Sequence, residues 1–273
     1  MSKLLQKIFD FYIQGSIHVA LAVFAFVQIT CAEFHLPIDD KVSWFTFFGT
    51  IVGYNFIKYD ELTRVKKVVW YTQLKWVVWL SFVSTLCCVY YFFQLNQITQ
   101  IVAIGALLLT GFYTLPIVPK KTNFRNWSGV KIYLVALSWT IVTVLLPLLY
   151  AEKELQIFVW LYFAQRFLIV FVLMLIFEIV DLSKDKLSLQ TIPQQIGVRQ
   201  TKWLGYGLLL VYLILDLFNI NYNYIIKFQF LRLLLIFTIA ISLFFATPNR
   251  SKYYTSFWVE AIPIVWLMIV MFQ

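Results

Sequence analysis

The sequence predicts an all-α polytopic membrane protein: one integral-membrane domain over residues 1–273, built from nine transmembrane helices. Three observations lead there. Of the 273 residues, 62% are hydrophobic and only 13% charged, with 27 Phe, 16 Tyr and 10 Trp, whereas soluble domains carry about 45–50% apolar and about 25% charged residues. A sphere of this mass cannot hide so much apolar side chain from water, so the surplus faces lipid. The apolar residues also fall in stretches of about 18 or more, the length a helix needs to cross a hydrocarbon core of about 30 Å.

The elements follow in order. Lys3 and Lys7 precede an apolar run from Ile17 to Ala32 that mimics a secretory signal. No small-x-small cleavage site follows, and Gln28-Ile29-Thr30-Cys31 is a poor lipobox, so the run is expected to be the first retained span. The expected spans are 14–33, 42–61, 69–93, 98–118, 130–150, 155–180, 203–219, 224–246 and 254–272. Polar breaks separate them, among them Pro37 to Asp40, Pro119-Lys120-Lys121, Glu152-Lys153-Glu154 and the stretch from Asp181 to Lys202.

The basic residues orient the bundle. With a cytoplasmic N-terminus, 17 of the 22 Lys and Arg fall on the cytoplasmic side, Lys58, Arg64, Lys67, Lys120, Lys121, Arg125 and Lys131 among them. That alternation follows the positive-inside rule and puts the C-terminus on the opposite side of a bacterial-type plasma membrane. It also accounts for the net charge of +9 without nucleic acid, whose binders gather their bases on one soluble face. Cys31, Cys87 and Cys88 lie in or beside apolar runs and make no disulfide framework. His18 and His35 are isolated, Arg166 and Arg232 fall inside spans, and Asp216 and Glu260 have no partner identifiable from sequence.

Charged groups at membrane depth or at helix ends carry the chemical information, because burying them costs several kcal/mol. Two clusters stand out, both at cytoplasmic span ends. In Glu178-Ile179-Val180-Asp181-Leu182-Ser183-Lys184-Asp185-Lys186, the acids stand at i, i+3 and i+7, so Glu178, Asp181 and Asp185 share a helix face. Hard carboxylate oxygens in such a row suit Mg²⁺, with water and phosphate oxygens completing its shell; the alternative is a solvated helix end neutralised by Lys184 and Lys186. The other cluster is Asn55-Phe56-Ile57-Lys58-Tyr59-Asp60-Glu61, followed by Arg64, Lys66 and Lys67. Asn55 there is either a site residue or a polar link between helices.

Together the clusters resemble the UbiA superfamily of membrane prenyltransferases, a nine-helix bundle with an Asn/Asp-rich motif ending helix 2 and a DxxxD motif ending helix 6. Asp181-Leu182-Ser183-Lys184-Asp185 followed by Thr191-Ile192-Pro193-Gln194-Gln195-Ile196-Gly197 is similar to the second motif and its T-L-P-x-x-L-G tail. Tyr113-Thr114-Leu115-Pro116 with Lys120, Lys121, Thr122 and Asn126 is similar to the loop after helix 4. In the first motif, alignment on Asn55 puts Phe56 and Tyr59 where the family has acids, and Asp60 comes one residue late. A helix ending near Lys58 would let Asp60 or Glu61 turn inward.

The resemblance implies Mg²⁺-dependent transfer of an isoprenyl group from an allylic diphosphate to an aromatic or quinone-type acceptor. It implies Asp181, Asp185, Asn55 and Asp60 as catalytic and metal-binding residues, with Glu178 as an additional acidic position. Lys120, Lys121 and Arg125, helped by Arg64 and Lys67, would contact the diphosphate. A homologue that binds an isoprenoid or diphosphate lipid without transferring it is the alternative within the same fold. A small transporter would carry broken helices and midplane charges matched in two halves; only Arg166 and Arg232 are candidates, and the acids gather at one face instead.

Overall fold

The computed structural model describes residues 3–37, 40–66, 72–114, 129–185, 189–219 and 226–272, and among these there are helices and connecting turns but no strand. Helices α1 (Lys3–Gln14), α2 (Ile17–Glu33), α3 (Lys41–Lys66), α4 (Thr72–Phe92) and α5 (Gln97–Thr114) come first. Next, α6 (Val130–Thr140) and α7 (Leu146–Tyr150) are joined through a π-helical turn, Ile141–Leu145. Then follow α8 (Ile157–Asp181), the short α9 (Ile192–Ile196), α10 (Val198–Asn219) and α11 (Ile226–Phe245). A second π-helical segment, Tyr254–Val259, leads into α12 (Ile262–Met271).

The described residues of the expected spans are mostly helical, yet the span count is narrower than predicted. Five helices among the described residues are long and apolar enough to cross a membrane, and six if the bent pair Leu4–Gln14 and Ile17–Glu33 is one span. Gln97–Gly111 and Phe230–Phe245 are apolar but shorter. Helix α3 is long but carries Lys58, Asp60, Glu61, Arg64 and Lys66 near its end, which lowers its hydropathy.

The first span also starts later than predicted. The chain bends by 54° between Gln14 and Ile17. Ser16 takes the left-handed conformation at φ 61°, and a Cβ at Gly15 would come within 2.9 Å of both Leu80 Cδ2 and Phe11 O. Helix α1 is thereby a separate amphipathic helix with Leu4, Leu5 and Ile8 exposed, the pattern of a helix lying in the bilayer interface.

Helix α8 is the axis of the core. Val172, Leu175, Ile176, Ile179 and Val180 are fully buried along it, packed with Phe26 and Ile29 of α2, Ile132 of α6 and Ile239 and Leu243 of α11. The irregular spans have identifiable causes. Pro147 has no N–H to give the carbonyl four residues back, and that carbonyl, Thr143 O, accepts the Thr30 hydroxyl of α2 at 2.7 Å. In the last span Glu260 N–H reaches five residues back to Thr255 O at 3.1 Å, and His18 Nε2 of α2 lies 2.9 Å from Phe257 O. A carbonyl only accepts, so Nε2 carries the proton and Nδ1 accepts from Tyr12 O–H at 2.7 Å.

Three charged residues inside the spans, Asp216, Arg232 and Arg166, have polar partners. Asp216 pairs with Arg232 and accepts Gln165 Nε2 at 3.2 Å. The Arg166 guanidinium donates to Phe26 O at 3.3 Å, Thr30 Oγ1 at 3.4 Å and Tyr162 O, and lies 4.2 Å over the Phe26 ring. Cations buried in an apolar bundle are satisfied this way.

Candidate functional site

Between α3, α4, α5, α6 and α8 lies a cavity of about 790 Å³. Its space comes from small side chains on facing helices: Gly49 and Gly53 on α3, Ala103 and Ala106 on α5. Phe45, Phe92 and Leu146 line one end, and Lys58, Lys131 and Asp181 the other. From Phe45 to Lys58 is about 20 Å along the helix. Along the wall, Trp139 Nε1 donates to Tyr54 Oη at 2.9 Å, with the two rings edge-on at 6.3 Å. The cavity is an apolar slot with a charged mouth.

At that mouth the second acidic cluster divides into two jobs. Asp181 lines the cavity and its carboxylate meets Lys184 Nζ at 3.4 Å. Asp185 N–H donates to Asp181 O at 2.9 Å, so the helical register carries on past α8 and sets Asp185 one turn beyond Asp181. Glu178, buried at 4% exposure, is not among the cavity residues. Its Oε2 accepts Ile192 N–H at 3.1 Å, tying α8 to the start of α9. There Thr191 N–H donates to Gln194 Oε1 at 3.0 Å, and Gly197 closes the segment at φ 81°. The Thr-Ile-Pro-Gln-Gln-Ile-Gly stretch is thus a brace holding the acidic end of α8 through Glu178.

The first cluster departs further from expectation. Asn55 is buried at 3% exposure and does not line the cavity. Its amide donates to Gly15 O at 3.2 Å and Ser81 Oγ at 2.9 Å and accepts from Ser16 O–H at 2.8 Å. The break between α1 and α2 strips carbonyls of their intrahelical partners. Asn55 satisfies one of them, while Lys58 Nζ and Tyr59 O–H each donate to Gln14 O at 3.1 Å. Asn55 thus links α3 to α4 and to the α1–α2 break.

Helix α3 does not end near Lys58 but continues through Lys66. Phe56 is exposed on the outer side, while Gly53, Ile57 and Lys58 line the cavity. The side chains of Asp60 and Glu61 lie outside the described residues. Arg64 is on the α3 backbone, and Lys67, Lys120, Lys121 and Arg125 lie outside the described residues. Among the described residues no group of three His, Cys, Asp or Glu is placed to hold a metal ion. Sequence reasoning assigned Lys58 and Lys131 to topology alone and nominated no aromatic residue; Tyr54 and Trp139 belong to the cavity wall. The signal available was the Gly49-x-x-x-Gly53-x-x-x-Ile57 stripe, which marks the open face of α3.

No family model matches the chain, and no curated protein matches it. Solved structures do. A UbiA homologue from Archaeoglobus fulgidus bound to GPP and Mg²⁺ superposes with a TM-score of 0.67 at 12% identity, over 96% of this chain and 98% of that one. The apo UbiA homologue from Aeropyrum pernix K1 gives 0.70 at 15% identity, over 94% and 99%. A digeranylgeranylglyceryl phosphate synthase gives 0.56 at 13% identity, over 98% and 96%. The chain has the fold of the UbiA homologues along nearly its whole length.

Proposed function

We propose that this protein is an integral-membrane prenyltransferase that transfers an isoprenyl group from an allylic diphosphate to a lipophilic acceptor of aromatic or quinone type. One observation carries the reading: the cavity is apolar over about 20 Å and charged only at its mouth, by Lys58, Lys131 and Asp181, which matches a ligand with an anionic head and an apolar tail. The fold supports it, since homologues of the same architecture bind GPP or DMAPP with Mg²⁺. The mouth is taken as cytoplasmic, with the N-terminus on that side and the C-terminus opposite.

The donor set fits Mg²⁺ on one side. Asp181 and Asp185, one turn apart, are the residues that would hold it; on α3 the described cavity wall offers Lys58 and no carboxylate. When bound, the ion neutralises charge on the leaving diphosphate and eases ionisation of the allylic C–O bond. The chain's own residues do the rest. Lys58 and Lys131 hold the anionic head, the faces of Tyr54 and Trp139 stabilise a passing allylic cation, and the apolar wall keeps out water that would quench it.

The test is to incubate membranes containing the protein with labelled allylic diphosphates and candidate acceptors, with and without a chelator. The expected result is Mg²⁺-dependent prenyl transfer that Asp181→Asn abolishes. The wall of α3, lacking a described carboxylate, favours a second reading in which the protein binds isoprenoid diphosphates without transferring them. No transfer from any donor, with binding retained, would put that reading first.

A further inference from the structure

The end of the bundle that carries Asp181 also carries a pair of cations outside the cavity lining, Lys202 of α10 and Arg250 between α11 and the last span. We infer that Lys202 and Arg250 form a binding site for the phosphate of an anionic phospholipid in the adjoining leaflet, which clamps α10, α11 and the entry to the last span together. The site needs no prenyl transfer and stands or falls apart from the proposed function.

The last four carbonyls of α11 have no partner within the helix ladder, and the chain supplies one for each. Lys202 Nζ donates to Phe244 O at 2.6 Å, Arg250 Nε to Phe245 O at 2.9 Å and Tyr254 O–H to Ser242 O at 2.6 Å, while Leu243 O accepts Ala246 N–H at 3.3 Å. Two positive groups are thereby drawn together, and Arg250 is an electrostatic neighbour of Lys202. The negative end of the α11 dipole is equivalent to about half an elementary charge, against two full charges. Among the described residues neither cation forms an ion pair. Of the described acids at this end, Asp181 is paired with Lys184, Asp185 lies one turn beyond it, Glu178 accepts Ile192 N–H and Asp10 accepts Tyr253 O–H at 2.7 Å. Lys202 keeps two N–H donors and Arg250 the four on its terminal nitrogens, a set suited to phosphate oxygens. The cations are held in place by more than carbonyls. Lys202 Nζ lies 5.9 Å from the Phe244 ring centre, and the Arg250 guanidinium lies 5.9 Å from Phe245 and 5.4 Å from Tyr254. Ser183 Oγ of the segment after α8 donates to Pro248 O at 3.3 Å, which fixes the link that carries Arg250. Phe244, Phe245 and the neighbouring Trp203 are exposed. Aromatic side chains at the end of a span mark the headgroup level, so a phosphate on these cations would have acyl chains lying along Phe244 and Phe245. That apolar flank favours a lipid over a free ion, and basic pockets between spans suit anionic headgroups.

Thermal unfolding of the full chain in detergent, with phosphatidylglycerol, phosphatidylcholine or inorganic phosphate added, tests this, and native mass spectrometry counts the lipid retained. Phosphatidylglycerol should stay bound and raise the melting temperature, because a ligand held by the folded state alone stabilises it. Phosphatidylcholine, whose headgroup brings its own positive charge, should do neither. Lys202→Gln and Arg250→Gln should each weaken phosphatidylglycerol binding by about tenfold, as expected for losing one hydrogen bond from a charged donor, and the double variant should abolish the increment. Lys202→Arg should keep most of it. Both glutamine variants also strip a partner from the end of α11, so the quantity read is the increment on adding lipid and not the starting melting temperature. Lys153→Gln, at an exposed lysine before the opposite end of α8, should leave that increment unchanged. Equal increments from the two lipids, an increment that survives the double variant, or one that Lys153→Gln reduces as much overturns the inference. An increment of the same size from inorganic phosphate would make this a free-anion site and overturn the lipid assignment.

Discussion

Replacing Gly49 by Phe should change which isoprenyl chain the protein accepts without weakening the fold. Gly49 lines the cavity about 13 Å along α3 from Lys58. A Cβ built there meets only Cys88 Sγ, at 3.6 Å, an ordinary contact, and removing glycine from a helix interior adds roughly 0.5–1 kcal/mol of stability in itself. The ring occupies the slot below Gly53, so a diphosphate anchored at Lys58 keeps its first carbons in place and loses the room beyond them. Each buried CH₂ is worth about 0.8 kcal/mol. Excluding one five-carbon unit thus costs up to about 4 kcal/mol, about three orders of magnitude in affinity, less whatever a folded-back tail recovers. The assay is kcat/KM across dimethylallyl, geranyl, farnesyl and geranylgeranyl diphosphates, with the melting temperature measured in parallel. We expect at least about a hundredfold loss for the longest donor and less than about threefold for the shortest. An equal loss at every length, or none, with the melting temperature unchanged, would refute the assignment of this slot to the tail.

Asp181→Asn should lower Mg²⁺-dependent transfer by about a hundredfold or more with little change in melting temperature, since its side chain is 42% exposed; a comparable loss of stability would show a structural role instead. Asn55→Ala should do the reverse, destabilising the bundle by about 2–4 kcal/mol through its orphaned partners while the folded fraction keeps its specific activity, as thermal denaturation and active-site titration would reveal. Asp216→Ala alone should cost about 3–5 kcal/mol by removing the carboxylate that pairs with buried Arg232, and Arg232→Met added to it should recover much of that; additive losses in the double variant would contradict the pairing.

How much of this was legible beforehand depended on what each residue had to satisfy. The helical segments were legible because lipid imposes a length and a composition on each of them separately. The second acidic motif was legible because Asp181 and Asp185 sit one turn apart on a single helix, so spacing alone relates them. Asn55 was not, because helix rotation decides the matter: it stands two residues, about 200°, from Gly53 on the helical wheel, and only the neighbouring helices reveal that Gly53 faces the cavity and Asn55 the α1–α2 break. The partnership of Asp216 with Arg232 joins two helices through side chains whose sequences carry no complementary pattern. Glu178 had the right spacing for a metal and still went to a backbone N–H, a demand created by the fold of residues 191–197 and invisible in the acidic run itself.

Both proline-bearing irregular spans depend on the same helix. The Thr143 carbonyl freed by Pro147 is met by Thr30; the Phe257 carbonyl, which accepts Ala261 N–H at 2.9 Å within its own span, also takes the His18 ring N–H; and both donors belong to α2. Within the hydrocarbon a carbonyl left alone has no water to turn to, so the span through Pro147 is not complete until α2 lies beside it, and the last span gains a further tie to the same helix. During synthesis α2 precedes both, which makes it a template already in place when they emerge. Damage at Thr30 or His18 should therefore register first as chains that insert but fail to assemble, and only secondarily as a fault in any finished molecule.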